Sequence, residues 1–186
     1  MNAPMNKPKG QRRKFWSWGY EGQDIPESEV TSMHERVAKR LGMSDFTILK
    51  DPTLDEIEIR APRITPPASL ASFCTTEKWD RVAHTYGKSF RDIAMIYKRK
   101  YPNPPDVVAY PRDEKDIAAV LDWCGENGYA AVPFGGGSSV TGGINPPDDD
   151  RYKGVVTIDL ENLNRVLEVD PTSRAARIQG GHLRSF

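Results

Sequence analysis

The sequence predicts an α+β fold with mixed strand pairing, and three observations carry that expectation. Apolar residues recur at helical spacing in two stretches before residue 100. From Asp106 onward a short apolar strand, a helix and a second short strand follow one another closely. Three further apolar runs, separated by turn residues, continue as a strand meander to Gln179.

Residues 1–14 hold five basic side chains (Lys7, Lys9, Arg12, Arg13 and Lys14), no acid and almost no large apolar group. Such a composition does not offset the entropy of ordering, so a mobile basic tail is expected. Residues 15–100 read as a mainly helical region. It opens with Phe15-Trp16-Ser17-Trp18-Gly19, whose three rings are expected to dock on the body. Glu27 to Leu41 reads as a helix, with Val30, Met33, Val37 and Leu41 on one face and Gly42 as its stop. Pro52, Pro62, Pro66 and Pro67 make 51–70 an extended, irregular connection. Glu77 to Lys100 is helical with an interruption at Gly87, and Phe90, Ile93, Ala94, Ile96 and Tyr97 carry the second half. Pro102, Pro104 and Pro105 end it.

The third region, 101–186, holds the clearest elements. Val107 to Tyr110 is a strand, and Asp113 is placed to cap a helix bearing Ile117, Val120, Leu121 and Cys124 that stops at Gly128. Ala130 to Phe134 is the second strand. Val155–Leu160, Arg165–Val169 and Ala175–Gln179 are the remaining three, with Asn162 and Pro171 in the turns.

Composition excludes several classes. With 26 Lys+Arg against 26 Asp+Glu the formal net charge is zero, so no nucleic-acid footprint dominates. No run of about 18 apolar residues is present, so no membrane span is expected. Arg12-Arg13-Lys14-Phe15 resembles an export signal only superficially, since no apolar core follows, and a cytoplasmic location is expected. Cys74 and Cys124 stand apart from any Cys/His cluster, so small packed thiols are expected and no metal site.

Chemistry concentrates in Gly135-Gly136-Gly137-Ser138-Ser139-Val140-Thr141-Gly142-Gly143, entered directly from the second strand. Glycine permits positive φ and removes the Cβ that would hold a ligand off the backbone. Successive free N–H groups then form a concavity suited to phosphate oxygens, and Ser138, Ser139 and Thr141 add hydroxyls. The pattern is neither GxGxxG with a following helix nor a loop ending in Gly-Lys-Ser/Thr. On its own the loop is also compatible with a flexible turn that binds nothing. His84, beside the turn at Gly87, reads either as a substrate-contacting imidazole or as a packed histidine at a junction.

The run Pro105-Asp106-Val107-Val108-Ala109-Tyr110-Pro111, the helix after it, and Val132 to Gly143 together resemble the opening of the FAD-binding domain of the vanillyl-alcohol oxidase superfamily, the PCMH type. Thr157-Ile158-Asp159-Leu160, Asn164 to Asp170 and Ala176-Arg177-Ile178-Gln179-Gly180-Gly181 continue the likeness in order. Lys14 to Tyr20 and Arg81 to Ser89 look like features of its alkylglycerone-phosphate synthase branch and bacterial relatives. The resemblance implies the first α/β subdomain of such a domain, FAD as cofactor, and Pro133, Phe134, Gly135, Gly136, Gly137, Ser138, Ser139, Val140, Thr141 and Gly142 as its binding residues. It implies ether-lipid chemistry in the complete protein: acyl exchanged for alkyl on dihydroxyacetone phosphate through an adduct at flavin N5, with no net oxidation. A lipid-like or hydroxy-acid small molecule would be the substrate, with a possible homodimer as the complete assembly. The alternatives are an FAD-linked lactate- or glycolate-type 2-hydroxy-acid dehydrogenase or oxidase, and a catalytically inactive piece. In the family a second glycine-rich stretch and a substrate cap follow the likeness, so the catalytic residues are expected after Phe186 and this chain alone is expected to bind FAD poorly.

Overall fold

The structure, a computed structural model, describes residues 12–43 and 47–182. Ten elements follow in order: α1 (Glu27–Leu41), β1 (Cys74–Thr75), α2 (Lys78–Ala83), α3 (Phe90–Tyr97), β2 (Val107–Ala109), α4 (Glu114–Asn127), β3 (Ala130–Phe134), β4 (Val155–Asp159), β5 (Val166–Asp170) and β6 (Ala175–Ile178). The α+β architecture is present, with parallel and antiparallel pairing in one sheet. The last three strands are divided between two sheets rather than running as one meander. β4 inserts between β2 and β3, parallel to both, giving the order β1-β2-β4-β3, while β5 and β6 form a separate antiparallel pair.

β4 is central, and all five of its residues are buried. That explains its sequence: Val155-Val156-Thr157-Ile158 is a continuous run of β-branched residues, as a strand covered on both faces requires. Phe73, Leu70, Val107, Ala109, Val156 and Ile158 pack against Val120 and Cys124 of α4. Asp113 caps α4 by accepting from the amides of Lys115 and Asp116, and Gly128 ends it in the left-handed region at φ 71°.

A second core forms from Phe15, Ile57, Val82, Ile96 and Tyr101. Ser89 and Asp92 cap α3 reciprocally, side chain to backbone in both directions. The 77–100 stretch breaks at His84–Ser89, so its two helices can pack from different directions around Ile96 and Val82.

Three expectations change. Of the mobile tail expected over 1–14, residues 1–11 lie outside the described residues, and the part from Arg12 to Lys14 is built into the body. Arg13 bridges to Tyr20, and the buried Lys14 donates to the Gln23 carbonyl at 2.7 Å and to Asp24 at 2.6 Å. Of the aromatic knot, Phe15 is buried and Trp16 half-buried, but Trp18 is 59% exposed. The α1 helix has its expected bounds, yet none of its residues is buried. Every residue of β5 and β6 is exposed as well.

Both thiols are free, and burial pushes Cys74 up to about 12 and Cys124 up to about 11. They remain thiols at neutral pH, as packed side chains.

Candidate cofactor-phosphate site

Parallel pairing of β3 with β4 brings Phe134 opposite Asp159. Both strands release their chains at that edge, and Leu160 N donates back to the Phe134 carbonyl at 2.9 Å. The glycine loop therefore starts from a rigid, buried origin.

Its conformation explains the residue types. Gly137 is buried with φ at 68°, and a Cβ there would stand 2.8 Å from Phe134 Cζ. A side chain is excluded twice, by the backbone and by the ring. A neighbouring turn holds the loop from outside. Lys88 N donates to the Ser139 carbonyl at 2.7 Å, and Gly87 must be glycine because a Cβ would lie 2.2 Å from that oxygen. Asn145 receives from Gly87 N at 3.3 Å and donates to Asp92 at 2.9 Å, which links loop, turn and the α3 cap. Within the loop, Ser139 Oγ accepts from Thr141 N and Gly143 N at 3.4 and 3.3 Å. Gly180 and Gly181 belong to the same assembly: a Cβ on Gly181 would meet the Leu160 carbonyl at 1.7 Å.

The backbone amides of Gly136, Gly137 and Ser138 find no acceptor among the described residues. Buried amides are almost always paired, so the unpaired donor of Gly137 is the observation that fits a phosphate-bearing ligand. Phe134, Gly136 and Gly137 line a cleft of about 280 Å³ together with Arg12, Arg13, Trp79, His84, Lys88 and Tyr110, among others. Ser138, Val140 and Thr141 are exposed outside that cleft, Ser139 and Gly142 are half-buried, and Pro133 is exposed on β3.

Four side chains behind the loop, Asp159, Arg13, His84 and Lys88, were not legible as part of it. Asp159 is buried, and its Oδ2 accepts from Arg13 Nη2 at 2.9 Å and meets His84 Nε2 at 2.8 Å. Arg13 Nη1 also donates to the Gly135 carbonyl at 3.0 Å. His84 Nδ1 meets the Asp80 carbonyl at 2.7 Å, so both ring nitrogens face oxygen atoms. The ring is packed between Phe134 and Tyr110, with centroids 4.4 and 5.8 Å away. His84 is thus a packed, hydrogen-bonded histidine at the junction of both cores. Tyr110 donates to Asp80 at 2.6 Å, and burial and that contact keep its phenol protonated. Lys88 is the fourth side chain. Burial, then the nearby Arg13 charge, pull its ammonium down to about 8.

The FAD binding domain family matches residues 105–183. That match spans 79 of the chain's 186 residues and includes the glycine loop. FAD is accordingly the chain's cofactor, and β2 through Gly181 form this chain's part of the domain. Among relatives, an alkyldihydroxyacetonephosphate synthase of Trypanosoma brucei brucei is 31% identical over 107 residues, which is 58% of this chain and 18% of the relative. A mitochondrial cytochrome-type D-lactate dehydrogenase of Arabidopsis thaliana is 39% identical over 145 residues, 78% of this chain and 20% of the relative. The chain thus spans about a fifth of the length of these curated relatives. A solved alkyldihydroxyacetonephosphate synthase superposes with a TM-score of 0.71 at 22% identity, covering 92% of this chain and 36% of the other. That likeness establishes a shared fold.

Proposed function

We propose that the loop from Pro133 to Gly142 holds the pyrophosphate of FAD, and that the protein catalyses an alkylglycerone-phosphate-synthase-type exchange of acyl for alkyl on dihydroxyacetone phosphate. The single observation carrying the first part is the unpaired amide of the buried Gly137, in a cleft it shares with Gly136 and at a position where a Cβ has no room. In this reading the amides donate to phosphate oxygens. Arg13, Asp159 and the Gly87–Lys88 turn fix the loop from behind, so that little reorganisation accompanies binding. Bound FAD supplies the electron-accepting ring at which substrate chemistry occurs. The described residues bind and orient the cofactor's phosphates. The chain's domain organisation in this proposal is a helical region over 15–100 that buttresses an FAD-binding domain beginning at 101.

The synthase reading is supported by the three synthase relatives together with a synthase fold that covers nearly the whole chain. The higher identity to the D-lactate dehydrogenase favours a second reading, oxidation of a 2-hydroxy acid. The two differ in what happens to the flavin. Flavin-loaded protein, expressed from its full reading frame, is mixed anaerobically with an acylated dihydroxyacetone phosphate and a fatty alcohol. The proposal predicts ether product with no lasting loss of flavin absorbance. Persistent bleaching by lactate or glycolate, without ether formation, contradicts it and establishes the dehydrogenase.

A further inference from the structure

We infer that Lys88, which lies outside the matched FAD-binding segment, supplies the counter-charge for the cofactor's phosphates in the Gly136–Gly137 cradle. The inference rests on the glycine loop's being the phosphate site and adds a residue to it.

Four observations converge on this side chain. Its backbone is fixed to the loop, because Lys88 N donates to the Ser139 carbonyl at 2.7 Å and the adjoining Gly87 permits no Cβ. Lys88 lines the same cleft as Gly136 and Gly137. Its Nζ donates to a neutral acceptor, the Phe15 carbonyl, at 3.2 Å. Among the described residues no carboxylate lies within ion-pairing distance of it, whereas Arg13 and Lys14 of the same cleft are paired with Asp159 and Asp24.

A half-buried ammonium in that state is costly. Desolvation and the Arg13 charge already pull it down to about 8, with Asp92 of α3 opposing more weakly. Burying a cation without a counter-ion is disfavoured unless an anion completes the site. A pyrophosphate seated on the Gly136 and Gly137 amides brings that anion. The resulting contact is charge-assisted and partly shielded from water, the kind that contributes most to affinity. Were Lys88 merely a structural tether to Phe15, removing its ammonium would instead lower the stability of the unliganded protein.

The test compares Lys88→Met and Lys88→Arg with the unaltered protein, by FAD and ADP titration and by thermal melting without ligand. Lys88→Met is expected to weaken both ligands about tenfold while leaving the melting temperature unchanged or raised, since a desolvated cation has been removed. Lys88→Arg is expected to keep affinity within about threefold, because the charge remains. Affinity of the unaltered protein should fall as pH rises past about 8, and that of Lys88→Arg should not. Arg13 and Asp92 are the charges that reach Lys88, and Asp80, His84, Asp159 and Glu161 line the same cleft in all three proteins. Unchanged affinity in Lys88→Met, equal losses in both variants, or a melting temperature that falls together with affinity overturns the inference and leaves the loop reading intact. All three proteins are expressed from the full reading frame, and failure of the unaltered one to bind either ligand overturns both.

Discussion

Asp106 shows how much one side chain can organise. Fully buried, it accepts from Arg60, from Arg63 Nη2 at 2.7 Å, and from the amides of Arg63 and Val155 at 2.8 and 2.9 Å. It thereby joins the irregular 51–70 segment to the first residue of central β4. Burial alone would raise its carboxyl; the hydrogen bonds from Arg63, Arg60 and the two amides outweigh that and hold it at about 2. Because the folded value lies below the ordinary 3.8, the stabilisation is complete above about pH 4 and is lost as pH falls toward 2. Asp106→Asn should cost about 3 kcal/mol in urea unfolding at neutral pH, and the variant should lose less stability than the unaltered protein between pH 4 and 2. A cost under about 0.5 kcal/mol, the usual range for surface changes, would show that the arginines are not held by this charge. Nothing in the sequence announced this. Asp106 lies in a motif read for its strand, and its arginine partners sit over 40 residues away in a stretch read only as extended and proline-rich.

Local signals carried the elements, and tertiary placement escaped them. α1, α4, β3 and β4 lie where periodicity, the Asp113 cap and Gly42 and Gly128 put them. Capping and propensity act within a few residues, which a sequence displays directly. The two-residue β1 was missed because so short a run has no period to read. An apolar stripe likewise announces a helix without saying what covers it: Met33, Val37 and Leu41 of α1 are exposed, whereas Ile96 of α3 is fully buried. Val37→Ala should therefore change stability by less than about 0.5 kcal/mol, and Ile96→Ala should cost about 2–5 kcal/mol, both read from chemical denaturation. Equal losses at the two sites would contradict the packing described. Arg13 was misplaced for a similar reason. A basic, low-apolar run reads as solvated, and only the fold reveals that Asp159 stands opposite.

At the scale of the molecule, the helical region and the FAD-binding segment share one cleft. The glycine loop was legible because its composition is a direct consequence of backbone geometry at Gly137 and of close approach at Gly181. Its supports were not, since Arg13, His84 and Lys88 reach it from about 50 or more residues away. The central claim is that this loop, braced by those residues, receives the phosphates of FAD. Amide NMR of isotope-labelled protein titrated with FAD tests it most directly, because it registers weak and tight binding alike and assigns the contact by residue. The account predicts that the largest shifts fall on Gly136, Gly137 and Ser138, that ADP reproduces them, and that Gly137→Val, folded by the same spectrum, loses them. Shifts concentrated elsewhere, such as on β5 and β6, or full binding by Gly137→Val, would contradict it.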